Sequence, residues 1–127
     1  MVEKQQSKAQ KLLLEYRPTI WRKSALEAVP DTGQKALQAC IERMNFTQEL
    51  VSLLQNDKLL GKKMYQIISA TYMTERHLGS VDEILDHLAK NHECIPRRTY
   101  FRLRGRAISI LDNHLEELAG DNLLSSG

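Results

Sequence analysis

The chain has 127 residues, a net charge of +2, two cysteines, and 42% hydrophobic residues with few aromatics. Its length suits one domain, or one small domain with an extension, and its leucine-rich, glycine-poor composition predicts an all-α fold. Two thiols exclude a disulfide framework. The polar start and the lack of about 20 consecutive apolar residues exclude a signal peptide and a membrane span, so we expect a cytoplasmic protein with no membrane contact.

The first part of the chain is predicted to be helical. Apolar residues recur at helical spacing over residues 3–15. Pro18 disfavours helical geometry at Arg17, which predicts a break or kink followed by a second short helix that ends before Pro30. Residues 29–33, Val-Pro-Asp-Thr-Gly, predict the clearest loop of this half.

Two further helices are predicted in the middle of the chain. Apolar residues at steps of three and four predict one helix over residues 34–55. Asn56-Asp57 indicates a junction and a helix cap. The apolar stripe from Leu59 to Tyr72 predicts the next helix, which we expect to reach Glu75 and to stop at Leu78-Gly79.

The last two helices have the clearest start patterns. Ser80 and Glu83 form a capping box, in which the Ser80 hydroxyl accepts from the Glu83 amide. The helix that they start should end at Lys90-Asn91. After a turn at residues 92–94, Pro96 suits the first position of the final helix because its fixed φ fits there.

The final helix is predicted over residues 96–118. Gly120 is its predicted stop, and residues 121–127 are predicted to be a flexible tail. These elements divide the chain into a helical N-terminal region over residues 1–57 and a second helical region over residues 58–120. The N-terminal region is predicted to serve an intermolecular contact, or simply to pack on the next helix and enlarge one core.

Positive charge is concentrated at residues 97–106, which carry five arginines and no acid, whereas residues 112–121 carry four acids. A helical wheel at 100° per residue places Tyr100, Leu103 and Ala107 on a core side. Arg98, Phe101, Arg102 and Gly105 lie opposite, flanked by the other arginines. A helix that is apolar on one side and arginine-rich on the other suits insertion into a DNA groove.

The residue types suggest separate roles on DNA. Arg98 and Arg102 can donate two bonds each to guanine, and Phe101 can touch thymine methyl groups. The remaining arginines fit phosphate contacts, as do the hydroxyls of Thr99 and Tyr100, and Gly105 would allow close approach of the backbone. The predicted DNA-binding residues are Arg97, Arg98, Thr99, Phe101, Arg102, Arg104, Gly105 and Arg106.

The second half of the chain also resembles a known family. Over about residues 60–118 it is similar to the last domain of sigma factors and, more closely, to the ArpU-type and RinA-type regulators of phages and prophages. Their recognition helix reads Ile-Ser-Arg-X-Thr-X-Tyr-Arg-Leu, and here Pro96 replaces the serine and the turn at residues 92–94 is longer. The segments that carry the resemblance are Ser80-Val81-Asp82-Glu83-Ile84, Ile95-Pro96-Arg97-Arg98-Thr99-Tyr100-Phe101-Arg102-Leu103 and Ala107-Ile108-Ser109-Ile110-Leu111.

The resemblance implies that residues 58–120 form a sigma region-four-like helix-turn-helix DNA-binding domain and that residues 1–57 serve dimerisation or contact with polymerase. It further implies a transcriptional activator of late phage genes, acting in a bacterial host cell. Double-stranded DNA would be the ligand, RNA polymerase a further partner, and a homodimer the favoured assembly, since one recognition helix covers only a half-site. Two alternatives stay open at this point. One is a protein-interaction module that binds polymerase or an acidic partner, and the other is the DNA-recognition subunit of a phage packaging machine.

Catalytic and metal chemistry are not predicted. His87, His92 and Cys94 have no fourth ligand at a finger-like spacing, so we expect no metal and no other cofactor. The chain contains no phosphate-binding glycine loop and no catalytic motif. The sequence therefore predicts a DNA-binding protein that is not an enzyme.

Overall fold

The computed structural model describes residues 7–29 and 33–126, with side chains described as far as Leu118. These residues are all-helical, as the composition predicts. Their elements are α1 (Lys8–Glu27), α2 (Gln34–Ser52), a 3-10 turn (Leu53–Asn56), α3 (Gly61–Tyr72), α4 (Val81–Asn91) and α5 (Arg97–Ser126).

One apolar core joins the helices. α1 and α2 form an antiparallel hairpin, and α3 packs against α4, against α5 and against this hairpin. Packing of α1 and α2 onto α3, which was one of the alternatives for the N-terminal region, is therefore present. The core residues are Ala9, Leu13, Leu50, Val51, Leu54, Met64, Ile67, Ile68, Ala70, Tyr72, Ile84, Leu88, Ile95, Tyr100, Leu103, Ala107 and Leu111.

The predicted break at Pro18 is wrong, because α1 runs through this residue without interruption. Proline removes one backbone donor, which leaves the Leu14 carbonyl without its usual partner from residue 18. The helix persists because side chains on both sides of Pro18 contact the rest of the protein. Leu13 and Tyr16 are buried before the proline, and Trp21 donates from Nε1 to the Glu75 carbonyl at 3.3 Å after it.

Arg17 ties α1 to the end of α3. It is 8% exposed. Its Nε donates to the Thr74 carbonyl at 2.8 Å, and its Nη2 donates to the Thr71 carbonyl at 3.3 Å and to the Thr74 hydroxyl at 3.0 Å. Burial lowers the pKa of Arg17 below its usual range. A cation at a helix C-terminus satisfies free carbonyls and complements the helix dipole, so α3 ends at Tyr72 rather than at the predicted Glu75.

Of the three predicted helix starts, the cap at Ser80 is confirmed, whereas α3 starts at Gly61, four residues after Asp57, and α5 starts at Arg97 rather than at Pro96. Asp57 accepts the amides of Leu59 and Leu60 at 3.0 and 2.9 Å, and this turn leads into α3. Ser80 accepts the Glu83 amide at 3.2 Å, as the capping box predicts. The Pro96 carbonyl accepts the Tyr100 amide at 2.9 Å, which places the proline one residue before α5 rather than inside it.

The predicted end of the last helix is wrong. The helical backbone of α5 continues past Gly120 to Ser126, and so into the segment predicted as a tail. One glycine inside a helix costs only about 1 kcal/mol, which is too little to stop a helix of this length. Among the described residues, no helix is both long and apolar enough to cross a membrane.

Candidate nucleic-acid interface

The first three turns of α5 are amphipathic in the way that the wheel predicts. Tyr100, Leu103 and Ala107 are each 0% exposed. The Tyr100 hydroxyl lies 2.9 Å from the Thr71 hydroxyl. This bond, with the core contacts, fixes the rotation of α5 about its own axis. It also shows that the predicted reach of Tyr100 to a phosphate is wrong, because its hydroxyl is held inside the protein.

Arg98 and Arg102 lie on the outer side of α5, one turn apart, and both are exposed. Among the residues with described side chains, neither guanidinium has a hydrogen-bond or ion-pair partner. A spacing of four residues places both on one face of the helix, so two forked donors point into solvent together. These were the two residues predicted to read bases.

Phe101 lies beside this pair and is 41% exposed. Its ring is flanked by two guanidinium groups, with the Arg104 carbon 5.0 Å and the Arg97 carbon 5.9 Å from the ring centre. Arg104 also lies 5.5 Å from the Tyr100 ring. Such cation–π contacts stabilise an exposed aromatic ring by roughly 0.5–1 kcal/mol each. Arg98 and Arg102 are therefore free, Arg97 and Arg104 flank Phe101, and Arg106 belongs to neither pair.

Two acids outside α5 contact the first and the last arginine of the run over residues 97–106. Arg97 donates to Asp82 of α4 at 2.5 Å, and Arg106 lies 3.8 Å from Asp57 in the turn before α3. Neither pair is evident from the sequence, because both acids lie outside the arginine run and reach it only through the fold. Five arginines against these two acids leave a local excess of three positive charges.

The Asp57 carboxylate is bound from two sides. The amides of Leu60 and Leu59 lower its pKa below the usual value, with a smaller contribution from Arg106. The carboxylate is therefore charged at neutral pH. It holds the turn that begins α3 and lies next to the last arginine of the run.

Behind the interface, burial raises the pKa of Tyr72, against an opposing effect of the nearby Arg104. Tyr72 is therefore neutral at physiological pH. The part of Arg104 that faces inward meets aromatic rings rather than a carboxylate, which leaves its charge uncompensated by any described acid.

Thr99 and Gly105 complete the predicted set. Thr99 is partly buried. Gly105 is exposed, and a Cβ built at its position meets no atom within 4 Å. Packing within the protein therefore does not require a glycine at position 105.

All eight predicted DNA-binding residues thus lie along the first three turns of α5. The described residues contain no group of three His, Cys, Asp or Glu side chains that could hold a metal ion. Comparison of the chain with protein-family models, curated proteins and solved structures finds no match.

Proposed function

We propose that this protein is a sequence-specific DNA-binding transcriptional regulator of phage or prophage type, with α3, α4 and α5 acting as a helix-turn-helix. The first turns of α5 would enter the major groove. The observation that carries the proposal is the pair of exposed guanidinium groups of Arg98 and Arg102, which have no partner within the described protein. An arginine-rich face that keeps an excess of positive charge suits the phosphate-lined groove of DNA.

The different surroundings of the arginines suggest different roles on DNA. Arg98 and Arg102 are free to make the bidentate bonds to guanine that give sequence specificity. Arg104 and Arg106 flank them and fit contacts to the DNA backbone, which set affinity without reading sequence. Arg97 would have to leave Asp82, or share it, before it could bind a phosphate.

The proposal is tested by measuring the binding of labelled duplex DNA with fluorescence anisotropy over a salt series. Random duplex suffices, because the backbone component of affinity does not require a known operator. We expect affinity that falls steeply with salt and that is lost in an Arg98→Ala/Arg102→Ala variant. A Lys35→Ala/Lys90→Ala variant removes the same charge from exposed positions on other helices and should bind normally. Absence of binding at low salt, or equal losses in the two variants, would contradict the proposal.

Selection of the preferred site from a random library then separates base contacts from phosphate contacts. Loss of Arg98 or Arg102 should cost about 1–3 kcal/mol on the selected site and relax one position of it. Loss of Arg104 or Arg106 should weaken binding to all sequences alike and reduce the salt slope by about 1 for each residue. Equal effects of all four variants on every sequence would refute the assignment of base readers.

The second candidate function is a protein-interaction module that binds RNA polymerase or another acidic partner. Phe101 favours it, because an exposed aromatic ring between guanidinium groups can anchor a protein contact. Phe101→Ala separates the two functions. It should lower DNA affinity modestly if thymine methyls are touched, and it should abolish a protein contact in which the ring is the anchor.

A further inference from the structure

An apolar strip runs along the outer face of α1. Leu14, Pro18, Trp21 and Ala25 recur at steps of four, three and four residues, which places them within about 60° of one another on the helix. All four are exposed, Leu14 at 50% and Trp21 at 54%. We call these four residues the α1 strip. A large exposed indole next to an exposed leucine is costly in water and is typical of a contact surface.

The strip is held rigidly. The Trp21 indole is oriented by its bond to the Glu75 carbonyl, and the neighbouring Arg17 is anchored on α3. At the middle of the strip, Pro18 leaves the Leu14 carbonyl without its helical donor. The strip therefore presents an oriented indole beside an exposed leucine.

One edge of the strip carries two opposite charges, and the acid among them also accepts a bond from Arg43 of α2 at 2.6 Å, which it would share in a paired state. Glu15 and Arg22 lie on the same flank, seven residues apart, on either side of Pro18. Arg22 is exposed and has no partner among the residues with described side chains. Two copies of α1 that cross antiparallel about a two-fold axis near Pro18 would place Leu14 of each copy against Trp21 of the other. The same crossing would place each Glu15 beside the other Arg22.

We propose that the α1 strip is the surface through which this chain pairs with a second copy of itself, by this antiparallel crossing. A two-fold contact is isologous, so one surface that complements itself is sufficient. The proposal extends the proposed function, because two recognition helices would read two half-sites. Pairing is nevertheless measured without DNA, so either proposal can fail alone.

The size of the strip sets the strength of the pairing. From Leu14 to Ala25 the helix spans about 17 Å, and a helix with its side chains is about 10–12 Å wide. Such a footprint falls well short of the roughly 800 Å² per partner of a standard interface. We therefore expect a reversible dimer that forms as concentration rises.

The chain has one tryptophan, and it lies at the centre of the proposed contact. The first measurement is Trp21 emission together with molar mass by sedimentation equilibrium, from roughly 1 μM to roughly 1 mM, the range of weak association. We expect the mass to rise from 14.6 kDa towards twice that value, with a blue shift of the emission over the same concentrations. A monomer with unshifted emission throughout the range would overturn the proposal.

Variants at exposed positions then locate the contact. Leu14→Glu keeps the fluorescent probe and should shift the dimerisation midpoint at least tenfold upward. Leu59→Glu replaces a leucine that is 90% exposed outside the strip, and it should leave the midpoint unchanged. Equal behaviour of the two variants would overturn the assignment of the surface.

A charge exchange tests the antiparallel register. Arg22→Glu should weaken pairing by placing two acids together, and Glu15→Arg/Arg22→Glu should restore it. The double variant also loses the exposed bond between Glu15 and Arg43, at 2.6 Å, which contributes little to folding. Failure of the double variant to regain the wild-type midpoint would refute the crossing near Pro18. Circular dichroism of each variant checks that its helices are intact.

Discussion

Gly105 offers the sharpest separation of folding from binding, because its substitution should affect the two in opposite directions. It lies inside α5, where glycine is less favourable than alanine by about 0.8–1 kcal/mol. A methyl group built there meets no atom within 4 Å. Gly105→Ala should therefore stabilise the free protein by nearly that full amount. For a chain of this length, the melting temperature should rise by roughly 3–6 °C.

On DNA the same methyl group should be unfavourable. Gly105 lies about one turn beyond Phe101 and Arg102 on the exposed side of α5. If the helix enters the major groove there, the added Cβ would meet the DNA backbone or a base edge. We expect affinity to fall about tenfold, which corresponds to about 1.4 kcal/mol. Thermal unfolding followed by circular dichroism and duplex binding followed by anisotropy measure the two effects.

Gly61→Ala is the matched control. A Cβ at Gly61 would clash with the Leu54 carbonyl, so this substitution should destabilise the fold by about 1–3 kcal/mol. Its effect on DNA binding should be small where the protein remains folded. Gly105→Ala that melts higher and binds DNA as well as wild type would refute close approach of the helix at this point.

Three further predictions follow from single side chains. Arg17→Met keeps most of the side-chain volume but removes the bonds to α3. It should lower the free energy of unfolding, measured in urea, by about 1–3 kcal/mol. An unchanged free energy would show that water replaces the guanidinium. Asp82→Asn releases Arg97 and removes a negative charge. DNA affinity at low salt should therefore rise a few-fold, while the free energy of unfolding changes by less than about 1 kcal/mol. A rise in affinity that persists at high salt would contradict this electrostatic explanation. The pKa of Asp57 is lower in the folded protein than in the unfolded chain, so its stabilisation is present above the unfolded value of 3.8 and is lost as pH falls through the folded value. Asp57→Asn should therefore flatten the urea midpoint between about pH 2 and about pH 5, and an unchanged acid slope would refute this assignment.

The features that the sequence predicted correctly are those set by neighbouring residues. The cap at Ser80 and the buried side of α5 at Tyr100 and Leu103 depend on spacings of three and four residues, which can be read directly from the sequence. The base-reading and phosphate roles of the arginines remain predictions. The structure adds which of these arginines are occupied within the protein and which are free.

The features that the sequence did not predict depend on residues far apart in the chain. Pro18 fails to end α1 because packing on both sides of it outweighs the loss of one backbone bond. The acid partners Asp82 and Asp57 belong to α4 and to the turn before α3, and only the packing of these elements brings them to α5. The C-terminal extension of α5 was missed because one glycine was given more weight than its energy supports.

The bonds of Arg17 and of the Tyr100 hydroxyl have a consequence for how such a chain could be recombined. Arg17 binds the Thr71 carbonyl, and the Thr71 hydroxyl meets Tyr100 at the start of α5. Residues on either side of position 57 therefore share polar bonds as well as the core. A hybrid that joins residues 58–127 to an unrelated helical segment would keep the contact between Thr71 and Tyr100 but would leave the end of α3 without its cap. Exchange of the N-terminal half should therefore succeed only where the incoming half also carries an arginine at the position of Arg17.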